Sequence, residues 1–179
     1  PRHGPAIVAA NHRAGIDPIL LVATSPHRQP SFLVEESYYK IPGLRKLMSL
    51  IDCIPVRRNR PGKAAIQACF DKLAAGGAIG LFPQGGFEEP GETRAARAGI
   101  GMIALRSGAP VIPVFIGGQN YSESAAIGFF KRHNARIVYG KPVPLADLHA
   151  RADEKAAHEE AATRIMAAIR SLEPLSTRA

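Results

Sequence analysis

His12 and Asp17 are the pair whose types and spacing most plainly invite chemistry. They lie five positions apart in AIVAANHRAGIDP, residues Ala6 to Pro18. A carboxylate set against one imidazole nitrogen fixes the tautomer and supports charge on the ring. The other nitrogen is then left as a general base. Residues five apart do not share a face of a helix, and Pro18 biases Asp17 away from helical angles. Arg13–Ile16 is therefore expected to turn and fold Asp17 back towards His12. The same residues also suit a plainer reading, in which Asp17 caps a helix starting at Pro18 and His12 is a loop residue.

Two further stretches carry chemical potential. Arg57, Arg58 and Arg60 follow the apolar run Cys53–Val56. Three guanidiniums so close together suit a solvated loop, and they equally suit a phosphate clamp, because the guanidinium fork matches phosphate oxygens. Pro83-Gln84-Gly85-Gly86 follows the run Ala78–Phe82. Paired glycines let backbone amides approach an oxyanion closely. Several other chemistries are not written here. There is no G-x-S-x-G elbow, no Walker A loop, and no G-x-G-x-x-G after a strand. His158-Glu159-Glu160 departs from the HExxH metal pattern, and no metal site is expected. Cys53 and Cys69 are too few for a disulfide scaffold, have no ligand spacing, and read as core thiols.

The elements that must position these residues form a repeating series. Short apolar runs suited to strands occur at Ala6–Ala10, Ser31–Val34, Cys53–Val56, Ala78–Phe82, Val111–Ile116 and Ala135–Tyr139. Pro113 lies inside the fifth run and predicts an edge or irregular position. Helical patterns occupy Ile19–Ala23, Gly62–Ala75, Gly99–Ser107 and Asp153–Leu172 between and after them. In Tyr38–Leu50, Ile41, Leu44, Leu47 and Met48 recur at helical spacing, interleaved with Lys40, Arg45 and Lys46. Most of that stripe is expected to face the core, with a membrane-surface role as the sharper alternative. Gln119–Asn134 reads as a long connection carrying Ile127, Phe129, Phe130, Lys131 and Arg132, and Phe87–Arg97 reads as polar. Strands alternating with helices predict a single α/β domain over residues 1–179, a three-layer α/β/α arrangement around a mixed sheet.

A chain of 179 residues with 46% hydrophobic and 21% charged residues has an ordinary globular balance. No window reaches the roughly 20 apolar residues of a membrane span. Pro1 is not a natural start, so an upstream segment such as a membrane anchor is expected to be missing. Twenty-three Lys and Arg against 15 Asp and Glu leave a net charge of +8. That excess points to anionic partners: phosphorylated small molecules or anionic lipid. Nucleic acid is the weakest anionic candidate and is not expected as a partner, because the chain has no DNA-binding motif and no basic–aromatic interleaving.

Four blocks, in order, resemble those of the glycerol-phosphate and 1-acylglycerol-3-phosphate acyltransferase family. NHRAGID is similar to its NHxxxxD block, CIPVRR to its second block, LFPQGG to its FPEGTRS block, and VIPVFIGG to its fourth. RIVYGKPV is similar to the strand and turn that follow. The resemblance implies transfer of a fatty acyl group from acyl-CoA or acyl carrier protein to the free hydroxyl of a lysophospholipid, most plainly 1-acylglycerol-3-phosphate, without a cofactor. It implies His12 as general base and Asp17 as its orienting partner. For substrate binding it implies Asn11, Arg57, Arg58, Gln84, Gly85, Gly86 and Arg97. It also implies work at an anionic membrane surface on the cytoplasmic face. The third block departs from the pattern: Gln84 stands for the family's glutamate, and Gly86, Phe87 and Glu88 replace threonine, arginine and serine. Those departures keep open a different lysolipid or amino-lipid acceptor and, less favoured, an idle lipid-binding module.

Overall fold

All six apolar runs form strands, gathered into one sheet. The computed structural model describes residues 3–25, 27–41, 43–57, 62–88, 94–118 and 134–177. The strands are β1 (Ala6–Ala10), β2 (Ser31–Glu35), β3 (Ile54–Val56), β4 (Ala78–Leu81), β5 (Val111–Gly117) and β6 (Arg136–Tyr139), in the order β3-β2-β4-β1-β5-β6. The pairings are parallel except for β5 with β6. The helices are α1 (Asp17–Ala23), α2 (Leu44–Leu50), α3 (Lys63–Ala74), α4 (Ala98–Ser107), α5 (Lys155–Ser171) and the short α6 (Glu173–Thr177).

The continuous apolar run of β1 is explained by its place between β4 and β5, with every residue buried. Such unbroken hydrophobicity marks a parallel strand covered on both faces. Alternate side chains serve alternate faces. Ile7 and Ala9 join the large core built with α3, α4 and α5, while Val8 and Ala10 join a smaller one with Leu21 and Phe32. On the larger face α4 and α5 approach very closely. A Cβ on Gly101 would lie 2.0 Å from the carbonyl oxygen of His158.

Two expectations are corrected. Pro113 is not on an edge strand, since β5 lies between β1 and β6. The Pro113 carbonyl accepts from Gly140 N at 2.8 Å. A strand residue's nitrogen and carbonyl face the same neighbour, so the missing N–H of Pro113 points past the last residue of β6, and the ladder to β1 is untouched. Tyr38–Leu50 is also not one helix. It divides into a 3₁₀ turn, Glu36–Lys40, and α2. Met48 is buried, but Ile41 and Leu50 are exposed and so are Arg45 and Lys46. The side chains of Leu44 and Leu47 and the apolar patch Ile127–Arg132 lie outside the described residues. Among the described residues no helix is long and apolar enough to cross a membrane.

Because β1 to β5 are mutually parallel, their C-terminal ends lie along one edge of the sheet. Asn11 and His12 leave β1 there, Arg57 leaves β3, and Phe82 to Gly86 leave β4. Ligands in open α/β sheets bind at such an edge.

Candidate active site

Asp17 folds back onto the loop that carries His12. His12 Nδ1 donates to Asp17 Oδ2 at 3.0 Å, and the same oxygen accepts from the backbone amides of Arg13 at 2.8 Å and Ala14 at 2.9 Å. Asp17 is the first residue of α1, with Ile16 at the N-cap position. Its carboxylate oxygen Oδ2 serves the turn before the helix. Its side chain is fully buried, while that of His12 keeps 16% exposure. A buried carboxylate needs donors on every side, and this one finds two amides and a ring N–H. With Nδ1 carrying the proton for Asp17, Nε2 is left with its lone pair, as a general base requires.

Aromatic packing sets the plane of the imidazole. Phe82 stacks on His12 with ring centroids 3.9 Å apart and 13° between planes, and Phe87 lies 4.4 Å away at 50°. Phe82 rests in turn on Phe32, at 5.7 Å. Phe32 has room because β4 carries Gly80 beneath it, where a Cβ would fall 2.1 Å from the ring. The backbone closes the arrangement, with Glu88 N donating to the His12 carbonyl at 2.7 Å.

The turn between the two phenylalanines is shaped by Gly85, which has φ +67°. The Arg97 side chain covers it so closely that a Cβ on Gly85 would meet Arg97 Nε at 2.5 Å, and Arg94 Nη1 lies 3.1 Å from where a Cβ of Gly86 would stand. Arg97 N also donates to the Pro83 carbonyl at 2.9 Å. The structure therefore brings His12, Asp17, Gln84, Gly85, Gly86 and Arg97 into one neighbourhood, with Arg94 added. Arg57 is exposed at the end of β3, three strand spacings from β1, about 14 Å in ordinary sheet geometry. Arg58 lies outside the described residues.

Asn11 is anchored to β5. Its Nδ2 donates to the Ile116 carbonyl at 2.9 Å and its Oδ1 accepts from Ile116 N at 2.7 Å. The side chain thus extends the pairing of β1 with β5 by one rung, and at 1% exposure it faces the interior. Gln84 is buried as well, with Nε2 donating to Glu88 Oε2 at 3.3 Å. Glu88, placed by the sequence in a polar stretch, is only 6% exposed. Phe82, Phe87 and Glu88 are the members of the site that sequence reasoning missed. Their one signal is position, since they flank the four-residue turn. Neither cysteine is primed as a nucleophile: burial pushes both thiols up to about 11.

The sequence profile of the Acyltransferase family matches residues 1–117. The chain belongs to the Acyltransferase family. It is similar to a chloroplastic 1-acyl-sn-glycerol-3-phosphate acyltransferase of Arabidopsis thaliana, 22% identical over 142 residues, covering 78% of this chain and 39% of the relative. A 1-acyl-sn-glycerol-3-phosphate acyltransferase of Borreliella burgdorferi is 28% identical over 124 residues, covering 67% of this chain and 48% of the relative. The chain thus spans less than half the length of these two relatives. The crystal structure of the 1-acyl-sn-glycerophosphate acyltransferase PlsC from Thermotoga maritima matches with a TM-score of 0.68 at 22% identity, covering 98% of this chain and 68% of that one. This acyltransferase chain therefore has the PlsC fold.

Proposed function

We propose that the chain transfers a fatty acyl group from an acyl thioester, on coenzyme A or acyl carrier protein, to the free hydroxyl of 1-acylglycerol-3-phosphate, giving phosphatidic acid. The observation that carries this reading is the His12 Nδ1 to Asp17 Oδ2 bond of 3.0 Å at the C-terminal edge of the sheet. His12 Nε2 takes the proton of the acceptor hydroxyl as its oxygen attacks the thioester carbonyl. Asp17 stabilises the imidazolium so formed. Collapse of the tetrahedral intermediate breaks the C–S bond, and the imidazolium returns its proton to the departing thiolate. No acyl-enzyme forms in this scheme. The names of the relatives support the choice of acceptor and product.

Arg97 and Arg94, over the Gly85–Gly86 turn, hold the acceptor's phosphate together with Arg58 and Arg57 of the second block. Arg97 is also the N-cap residue of α4, so the positive end of that helix lies beside the turn. The reaction takes place at an anionic membrane surface on the cytoplasmic face, where exposed Ile41 and Leu50 beside Arg45 and Lys46 supply an apolar and basic contact.

The test is thioester consumption with a panel of lysophospholipids, amino-lipids and a neutral monoacylglycerol. Turnover is expected to be fastest with the phosphate monoester. Each charge-assisted bond to phosphate contributes about 1.5–3 kcal/mol, so Arg97→Ala is expected to raise the KM of the acceptor roughly tenfold or more and leave that of the donor unchanged. A neutral acceptor turning over best, with Arg97→Ala silent, would sink the phosphate site and favour a different acceptor. No thioester consumption with any acceptor would sink the enzymatic reading and leave the idle lipid-binding module.

A further inference from the structure

We propose that Glu88 is a positioning residue for His12, its buried carboxylate clasping the two loops that meet at the imidazole. Gln84 and Glu88 stand at the two ends of the turn that carries Phe87, and Gln84 Nε2 donates across it to Glu88 Oε2 at 3.3 Å. On its other side the same oxygen faces Arg13 Nε at 3.9 Å, and Arg13 is the residue after His12. Arg13 reaches on to Glu173 of α6, its Nη2 lying 3.8 Å from Oε1. Arg13 and Glu88 also share a cavity of about 130 Å³ with Phe115, Arg170 and Glu173. One carboxylate thus bonds to an amide of the turn after β4 and faces an arginine of the loop after β1.

The energetics argue for geometry over bulk stability. An ion pair at 3.9 Å without an aligned hydrogen bond is a weak source of folding energy, and a buried carboxylate carries a desolvation penalty that such a contact barely offsets. The cluster is also imperfectly satisfied. Arg13 Nε and Gln84 Oε1 are buried side-chain atoms with no hydrogen-bond partner, and both belong to it. What the arrangement does determine is the place of Phe87. The neighbouring Glu88 amide is tied to the His12 carbonyl, and the Glu88 side chain is tied to Gln84 and set against Arg13. Phe87 is held between these ties, with its ring 4.4 Å from the imidazole.

The catalytic consequence rests on the proposed acyl transfer, whereas the clasp itself is visible in the ring. Wild type, Glu88→Gln, Gln84→Glu and the exchanged pair Gln84→Glu/Glu88→Gln are compared by the ring-current shifts of the His12 imidazole protons in NMR, by kcat and KM, and by melting temperature. Gln84→Glu sets two carboxylates against each other at the 3.3 Å contact. It is expected to shift the His12 ring protons towards unstacked values and to lower kcat about tenfold or more, with donor KM unchanged. Glu88→Gln moves both in the same direction, by less. The exchanged pair restores one carboxylate facing one amide, and is expected to recover most of the ring-current shift and most of kcat. If Gln84→Glu proves insoluble, a soluble and active exchanged pair supports the clasp and an insoluble one overturns it. An exchanged pair no better than Gln84→Glu, or wild-type His12 shifts in Glu88→Gln, also overturns it. Should wild type transfer no acyl group, the functional reading fails while the ring-current comparison still decides the clasp.

Discussion

Asp17 gathers three donors on one oxygen, and this sets what substitutions there will do. Asparagine can present its carbonyl to the same three groups, so Asp17→Asn is expected to keep the turn. It loses the charge that stabilises the imidazolium, about 1.5–3 kcal/mol, and so should lower kcat roughly 10–100-fold. His12→Ala removes the proposed base and should lower it about 10²–10⁴-fold. Both are measured as single-turnover thioester consumption, and near-native melting curves are expected alongside. Full activity in His12→Ala would end the general-base scheme. The thiols give a second check at this scale. Desolvation raises Cys53 and Cys69 to about 11, above the ordinary value near 8.5, so the reactive thiolate is scarce at neutral pH and grows only as pH climbs towards 11. Alkylation of the native protein is expected to be slow at pH 8 and to accelerate above pH 10, and mass spectrometry during turnover should find no acyl-cysteine. A kinetically competent acyl adduct at Cys53 would replace direct transfer with a covalent route.

At the scale of elements, the site depends on contacts between strands and helices that lack side-chain bulk at chosen points. Gly80 leaves the space in which Phe32 supports Phe82, and Gly101 lets α4 lie against the backbone of α5. An alanine at 101 would press its methyl to 2.0 Å from the His158 carbonyl, and a backbone oxygen cannot rotate away. Overpacking of this kind costs about 1–3 kcal/mol or more, against a helix-propensity gain of up to about 1 kcal/mol. Gly101→Ala is therefore expected to lower the melting temperature by several degrees, about 2–4 °C per kcal/mol for a chain of this size. An unchanged melting curve would mean that the two helices separate freely. Element existence was legible in the sequence because the central strands β1, β4 and β5 are apolar runs, buried on both faces as inner strands are. The place of Pro113 was not legible, because edge or interior depends on where β6 ends opposite it, and that is settled by a pairing partner distant in the chain.

For the whole molecule, charge and exposed apolar surface act together. The net charge is +8, and Leu50 is 77% exposed next to the basic residues of α2. Binding to vesicles is expected to strengthen with anionic lipid and weaken with salt, since surface attraction to anionic headgroups contributes about 1 kcal/mol per basic residue and decays within a Debye length. Leu50→Ser should weaken flotation with anionic vesicles while Lys46→Gln flattens the salt dependence. Equal binding to neutral vesicles at every salt concentration would remove the electrostatic part.

The sequence by itself determined the local features. The turn expected over Arg13–Ile16 forms and returns Asp17 to His12, and the apolar runs become six strands. These follow from short-range sterics and from the period of hydrophobicity, which act within a few residues. Tertiary structure decided what distant chain segments do to one another. Asn11 stands beside His12 in the sequence, and its amide bonds to the backbone of Ile116, 105 residues away. Glu88 sits in a charged stretch and is buried, because Gln84 and Arg13 face it across a fold that brings the ends of β1 and β4 together. Hydropathy predicts a buried carboxylate only when its partners are known, and those partners are assembled by the sheet order β4-β1-β5, not by adjacency in the chain.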